Sequence, residues 1–257
     1  MKRISTIIIA LFAVSTASAW SEFGHKTIVE IAKRHLTERT KQNIAKYMPY
    51  DITTEAVWMD EHRHDANIAF AFSWHVYNTD KYRKYDPNPR LHKGDAIHAL
   101  KIADYNLSRY EELSDSTVVM NLRMVLHFAG DMHCPSHSYV PAPRYVWPCE
   151  LNGVPYKSFH SFYDVTPNLL HPDMSPMALA ALLDNASKGQ RKKICRGAHY
   201  EWAQDCAKNN CKIFEWNEPL AEKLNPNTVE LSRELVDRQL RNAGYRLAAL
   251  LNRYFGK

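Results

Sequence analysis

Apolar residues return every three or four positions over most of this chain, a spacing that puts them on one face of a helix and scatters them over both faces of a strand. Ile28, Ile31, Ala32 and Leu36 form one such stripe, and Val118, Leu122, Val125, Leu126 and Ala129 form another. Ser114 and Asp115 are both suited to cap the second. Asn225 or Asn227, beside Pro226, opens a long C-terminal helix through Leu231, Leu235, Leu240, Leu247 and Leu251. Further helices are expected at about 53–67, 91–112, 175–190 and 198–208. The exception is 139–156, where prolines and an Asn152-Gly153 turn signal predict a long loop or a small hairpin. The expected fold is all-α. No Gly/Ser-rich linker divides the chain, and 45% apolar residues suffice for one sizeable core.

The first nineteen residues follow a different logic. Lys2 and Arg3 precede an apolar run from Ile7 to Val14 and a small-x-small site, Ala17-Ser18-Ala19. This pattern predicts a secretory signal peptide at 1–19, removed before Trp20, and a secreted or periplasmic domain at 20–257. No later stretch approaches the roughly 20 apolar residues of a membrane span. Setting Lys2 and Arg3 aside lowers the net charge from +5 to +3, too mild to indicate nucleic acid by itself. In an exported chain, five cysteines suggest two disulfides and one spare thiol; spacing does not fix the pairing, and the expectation is Cys134–Cys149 with one bridge among Cys195, Cys206 and Cys211.

Histidine spacing carries the chemistry. His127 and Asp131 are four apart on an expected helix, as are His160 and Asp164, so each pair projects from one face. His137 follows Asp131 after a segment containing Pro135, where the helix should end. One such pair is ordinarily a surface ion pair or a satisfied core histidine. Two pairs, with His137 alongside, would be costly to bury unless a cation neutralised them. Imidazole with carboxylate, and no cysteine in the cluster, points to zinc. Cleavage before Trp20 would add a free α-amino group five residues ahead of His25, and an amine with its own carbonyl can chelate a metal.

These segments together resemble the zinc-dependent single-strand nucleases of fungi, plants and bacteria, the nuclease S-one and P-one type, within a superfamily shared with zinc phospholipases C. The likeness runs through Trp20-Ser-Glu-Phe-Gly-His25, Trp58-Met-Asp60-Glu-His-Arg63, Trp74-His75-Val-Tyr-Asn78 and Leu126-His-Phe-Ala-Gly-Asp-Met-His-Cys-Pro-Ser-His137. It continues in His160-Ser-Phe-Tyr-Asp164 and in 239–252. The resemblance implies three zinc ions. One is held by Asp60, His75, His127 and Asp131. A second is held by Trp20 (amine and carbonyl), His25 and the shared Asp131, and a third by His137, His160 and Asp164. It further implies hydrolysis of single-stranded DNA and RNA by metal-bound hydroxide, with 3′-nucleotidase activity. Asp60 would orient the hydroxide and Arg63 would meet the phosphorane oxygens. A monomer is expected.

The substrate side departs from the family. Val76 follows His75 where an aromatic residue commonly helps to hold a base, and the Gly-Gly-Asn segment expected ahead of His160 is missing. Val76, Tyr77 and Tyr139 are the candidate substrate contacts. Two rivals remain: a phospholipase C-like phosphodiesterase, and a catalytically silent exported zinc-binding module. Asp164 stands where phospholipases carry Glu, and the Trp20–His25 gap is the short one of nucleases; both lean against the first.

Overall fold

A computed structural model describes residues 20–87, 94–139 and 146–257. The expected signal peptide, the 91–93 start of one expected helix and the 140–145 part of the expected loop lie outside these residues. Helix α1 (Glu22–Lys33) begins just after Trp20 and buries the Ile28, Ile31 and Ala32 stripe. α2 (Glu38–Ala45) starts at Thr37, whose side chain accepts from the Thr40 N–H and satisfies a donor that the first helical turn leaves unpaired. A 3-10 turn at Ile52–Glu55 leads into the single-turn α3 (Trp58–Glu61). α4 (Ala96–Leu107) packs along α5 (Asp115–Asp131), which Ser114 caps by accepting from the Thr117 N–H.

The second half adds α6 (Phe159–Leu170), opened by a capping box between Ser158 and Ser161, then α7 (Pro176–Leu183), α8 (Lys188–Ile194), α9 (His199–Asn210) and the short α10 (Ile213–Trp216). α11 (Thr228–Phe255) lies against α1, α2, α5 and α6 and ties the two halves together. The fold is all-α, one domain around a main core, with a smaller cluster of Trp147, Cys149, Leu151, Phe159, Phe162 and Tyr163 beside it.

Two short sheets interrupt the helices. β1 (Tyr77–Asn78) and β2 (Ser138–Tyr139) pair in parallel, so the residues after His75 and after His137 lie side by side. β3 (Cys149–Leu151) and β4 (Val154–Tyr156) form the antiparallel hairpin signalled by Asn152-Gly153, whose φ values of 51° and 81° suit a tight turn. No helix among the described residues is long and apolar enough to cross a membrane.

The expected helix at 53–67 is mostly turns, because Trp58 stacks on His62 and the backbone there folds back into single-turn hydrogen bonds. The expected helix at 175–190 is two helices. The Asp184 carboxylate accepts from Arg34 and Tyr245 and pairs with His35, and Ser187 then caps a new helix with Gln190. Disulfides are a further correction, since all five cysteines are free. The Cys134 thiol faces Ser136 and Asp164, whereas Cys149 belongs to the smaller cluster. Cys195 donates to the Tyr245 carbonyl, Cys206 to Gln239 and Cys211 to the Lys208 carbonyl.

Candidate metal centre

The last two turns of α5 build the site from one face. His127 and Asp131 both project inward and are fully buried, with His127 Nε2 3.2 Å from Asp131 Oδ2. His127 Nδ1 lies 2.9 Å from the Ala56 carbonyl, which directs Nε2 toward the cluster. His75, arriving ahead of β1, brings Nδ1 to 3.0 Å from both His127 Nε2 and Asp131 Oδ2. Asp60, on α3, places Oδ1 3.4 Å from His75 Nδ1 and 3.7 Å from His127 Nε2.

α1 adds the other flank. His25 stacks on His127 with ring centroids 4.2 Å apart and sets Nε2 3.3 Å from Asp131 Oδ1. Gly130 permits this: a Cβ there would sit 2.8 Å from His25 Nδ1. The Trp20 indole donates to the Gly130 carbonyl at 3.1 Å, and the Ser21 N–H donates to the Asp164 carbonyl at 2.8 Å. Residue 20 is thereby held where α1, α5 and α6 meet.

A second cluster adjoins the first. His137 Nδ1 lies 2.7 Å from the His75 carbonyl, and its Nε2 is 3.3 Å from Asp164 Oδ1. His160, one turn before Asp164 on α6, stacks on His137 with centroids 4.6 Å apart and holds Nε2 3.5 Å from Asp164 Oδ2. Among the described residues, three sets of donor atoms converge closely enough to share an ion: His25, His127 and Asp131; Asp60, His75 and His127; and Cys134, His137 and Asp164.

Hydrogen bonding accounts for only part of this convergence. Both ring nitrogens of His25, both carboxylate oxygens of Asp60, Oδ1 of Asp131 and Oδ2 of Asp164 are buried without a hydrogen-bond partner. Each such atom costs about 1–3 kcal/mol, and more when charged, unless something pairs it. A tetrahedral ion with bonds of roughly 2.0–2.2 Å separates its ligand atoms by about 3.3–3.6 Å. Four of the eight separations between donor atoms given above fall in that range, and the others lie within about 0.3 Å of it. Donor type, burial and spacing therefore all fit a divalent metal.

The electrostatics agree. Burial opposes both charges of the His127–Asp131 pair, but their attraction prevails: His127, drawn also by Asp60, rises to about 9, and Asp131, hydrogen-bonded also by His25 and His75, falls well below the usual carboxylate range. Burial and the neighbouring His127 lower His25. Burial, with His160 beside it, lowers His137 to about 3, and burial lowers His160 to about 4. These three rings stand neutral at neutral pH, the form that binds metal. Burial and the nearby Asp60 and Asp131 carboxylates push Asp164 well up, as expected of a buried acid with negative charge beside it.

The substrate candidates fall in different places. Val76 is buried, and the Tyr77 ring turns into the core with its hydroxyl donating to the Ala203 carbonyl at 3.1 Å, so neither offers a base a face. The Tyr139 hydroxyl lies 3.3 Å from His160 Nδ1, at the edge of the second cluster. Arg63 follows α3 with its guanidinium 5.8 Å from the Phe72 ring centre and donates from Nε to His64 at 3.4 Å. Phe70 and Phe72 are over half exposed on the segment between Asp60 and His75. Sequence spacing offers no signal for them, because an exposed aromatic in a turn-rich segment has no periodic partner. It also left Cys134 out of the cluster.

The model of the S1/P1 nuclease family matches residues 20–256. The chain belongs to the S1/P1 nuclease family. Endonuclease 2 of Arabidopsis thaliana is 24% identical over 285 residues, spanning 96% of this chain and 94% of that protein. Endonuclease 1 of the same plant is 23% identical over 283 residues, spanning 96% and 91%. Endonuclease 4 aligns over 146 residues at 27% identity, about half of each chain (51% and 49%). Membership in the S1/P1 nucleases makes this chain a hydrolase of nucleic-acid phosphodiester bonds, and the family's zinc dependence matches the donor set described above.

Proposed function

We propose that this chain is an exported, monomeric nuclease that holds three zinc ions and hydrolyses single-stranded DNA and RNA, with 3′-nucleotidase activity. The observation that carries it is the set of buried histidine and carboxylate atoms that converge without hydrogen-bond partners. Asp60, His75, His127 and Asp131 would hold one ion; Trp20, His25 and Asp131 a second; His137, His160 and Asp164 a third. Every donor comes from one chain, so no second copy is needed. Removal of 1–19 would leave the Trp20 amine and carbonyl beside α5, where the Trp20 indole is already anchored on Gly130.

Bound zinc supplies acidification of water toward neutral pH and neutralisation of phosphate charge. The protein's own groups do the rest. An Asp60 carboxylate oxygen accepts the hydrogen bond of the attacking water and aims it in line with the scissile bond. As the water oxygen bonds to phosphorus, the bond to the 3′-oxygen breaks, and the proton given up by the water is balanced by one taken from solvent at that oxygen, giving a 5′-phosphate and a 3′-hydroxyl. The Arg63 guanidinium meets the non-bridging oxygens as charge builds on them. Phe70 and Phe72 present faces for unpaired bases, worth about 1–3 kcal/mol per stacked base, a contact that paired bases in a duplex cannot make.

The test is incubation of protein beginning at Trp20 with single-stranded DNA, RNA, duplex DNA, 3′-AMP and phosphatidylcholine, with and without chelator. Chelator-sensitive cleavage of the single strands and of 3′-AMP is expected. Turnover of phosphatidylcholine alone would establish the phospholipase alternative, and three bound zincs with no turnover would establish a silent metal-binding module.

A further inference from the structure

We infer that Cys134 is a direct sulfur donor to the ion held by His137, His160 and Asp164, making that position a thiolate site rather than one of nitrogen and oxygen alone. The inference rests on the proposal that this cluster holds an ion. Cys134 is fully buried and free, and it is the one thiol whose sulfur meets a metal-donor set among the described residues.

The backbone fixes where that sulfur points. The Cys134 N–H donates to the Asp131 carbonyl at 3.0 Å, and its carbonyl accepts from the His137 N–H at 3.1 Å and from Asn210 Nδ2 at 3.2 Å. With both peptide groups anchored between ligand positions, the thiol turns to Asp164 Oδ1 at 3.6 Å. Around a zinc with a bond of about 2.3 Å to sulfur and 2.0–2.2 Å to oxygen, tetrahedral sulfur and oxygen donors lie about 3.5 Å apart. Cys134 Sγ, an imidazole nitrogen of His137 and a carboxylate oxygen of Asp164 lie within 4.8 Å of one another. The second observation is Asp164 itself, 3% exposed, whose Oδ2 has no hydrogen-bond partner while Oδ1 faces Cys134, Ser136 and His137. An unpartnered carboxylate oxygen 3.5 Å from His160 Nε2, on a carboxyl group whose other oxygen meets the thiol and His137, is the arrangement an ion would complete.

Binding breaks the S–H bond, the proton passes to buffer, and the sulfur electron pair forms the bond to the metal. Nothing is oxidised or reduced. A soft donor favours zinc and cadmium over magnesium and manganese at this position.

The test is cobalt substitution of the protein beginning at Trp20, read by absorption. Wild type should show a near-ultraviolet thiolate-to-cobalt charge-transfer band, Cys134→Ser should lose the whole band, and Cys149→Ser should keep it. Should Cys134→Ser fail to fold, X-ray absorption at the zinc edge of wild type should still detect one sulfur ligand at about 2.3 Å among the bound ions. Ions bound without a band or a sulfur neighbour would reduce Cys134 to a hydrogen-bond donor that positions Asp164 and overturn the inference while leaving the metal centre intact. A band that survives Cys134→Ser would assign the sulfur elsewhere. Failure to take up any metal would overturn the centre and this inference together.

Discussion

Asp131→Asn isolates the residue on which the clusters depend. Asp131 is fully buried, with Oδ1 3.3 Å from His25 and 3.7 Å from His137, and Oδ2 3.0 Å from His75 and 3.2 Å from His127. Asparagine keeps the shape but removes the charge and turns one acceptor into a donor aimed at imidazoles. Loss of a group that merely supports a ligand costs about 10–100-fold in metal affinity, so loss of a donor shared by two ions should exceed roughly 100-fold for each. If the pair supplies about 4 kcal/mol of transition-state stabilisation, the rate falls about a thousandfold, at 1.36 kcal/mol per factor of ten. The assay combines metal analysis of purified protein, turnover of single-stranded DNA, and far-ultraviolet circular dichroism to establish that the helices remain. One ion per chain, with a folded spectrum, is expected. Retention of three ions and turnover within about tenfold of wild type would refute the shared-donor reasoning.

Other perturbations test the surrounding framework. One extra residue ahead of Trp20 removes the free amine from position 20, and it should cost one ion by metal analysis and most of the activity; unchanged metal content would take Trp20 out of the centre. Gly130→Ala drives a methyl group to 2.8 Å from His25 Nδ1 on a helix that cannot yield, so the ion nearest His25 should be lost while the others stay; full metal content would contradict the packing. Burial raises Asp184, but hydrogen bonds from Arg34, His35 and Tyr245 outweigh it and lower its carboxyl below the ordinary value. A lowered carboxyl stabilises the fold above its unfolded pKa, about 3.9, and this stabilisation fades as pH falls through the folded value. Denaturant titration should therefore find Asp184→Asn less stable than wild type by about 1–3 kcal/mol at neutral pH, with the gap closing below about pH 4; a gap independent of pH would rule out the carboxylate as its source.

Long periodic segments were legible in the sequence because burial of one face decides them. The stripes of α1, α5 and α11 lie where the spacing put them, and the His127–Asp131 and His160–Asp164 pairs each share a helix face. Asn152-Gly153 marked its hairpin because few other residues accept positive φ at both positions. Residues 53–67 misled because their apolar spacing serves a turn-rich path that delivers Asp60, with Trp58 stacked on His62 and the Arg123 guanidinium 4.0 Å from the Trp58 ring centre. The β1–β2 ladder is two residues long and joins parts of the chain some sixty residues apart, so no local pattern announces it. The expected export of the chain and its five cysteines suggest a disulfide at Cys134, although spacing fixes no pairing. What places its sulfur beside Asp164 is the tight turn after α5, where three successive backbone hydrogen bonds fold the chain onto α6.

Anomalous diffraction at the zinc edge, on crystals of protein beginning at Trp20, tests the three-ion centre most directly. Three peaks are expected, one enclosed by Asp60, His75, His127 and Asp131, one between His25 and Asp131 against the Trp20 terminus, and one beside His137, His160 and Asp164. Zinc found elsewhere, or no zinc between Asp131 and its four histidine neighbours, would contradict it.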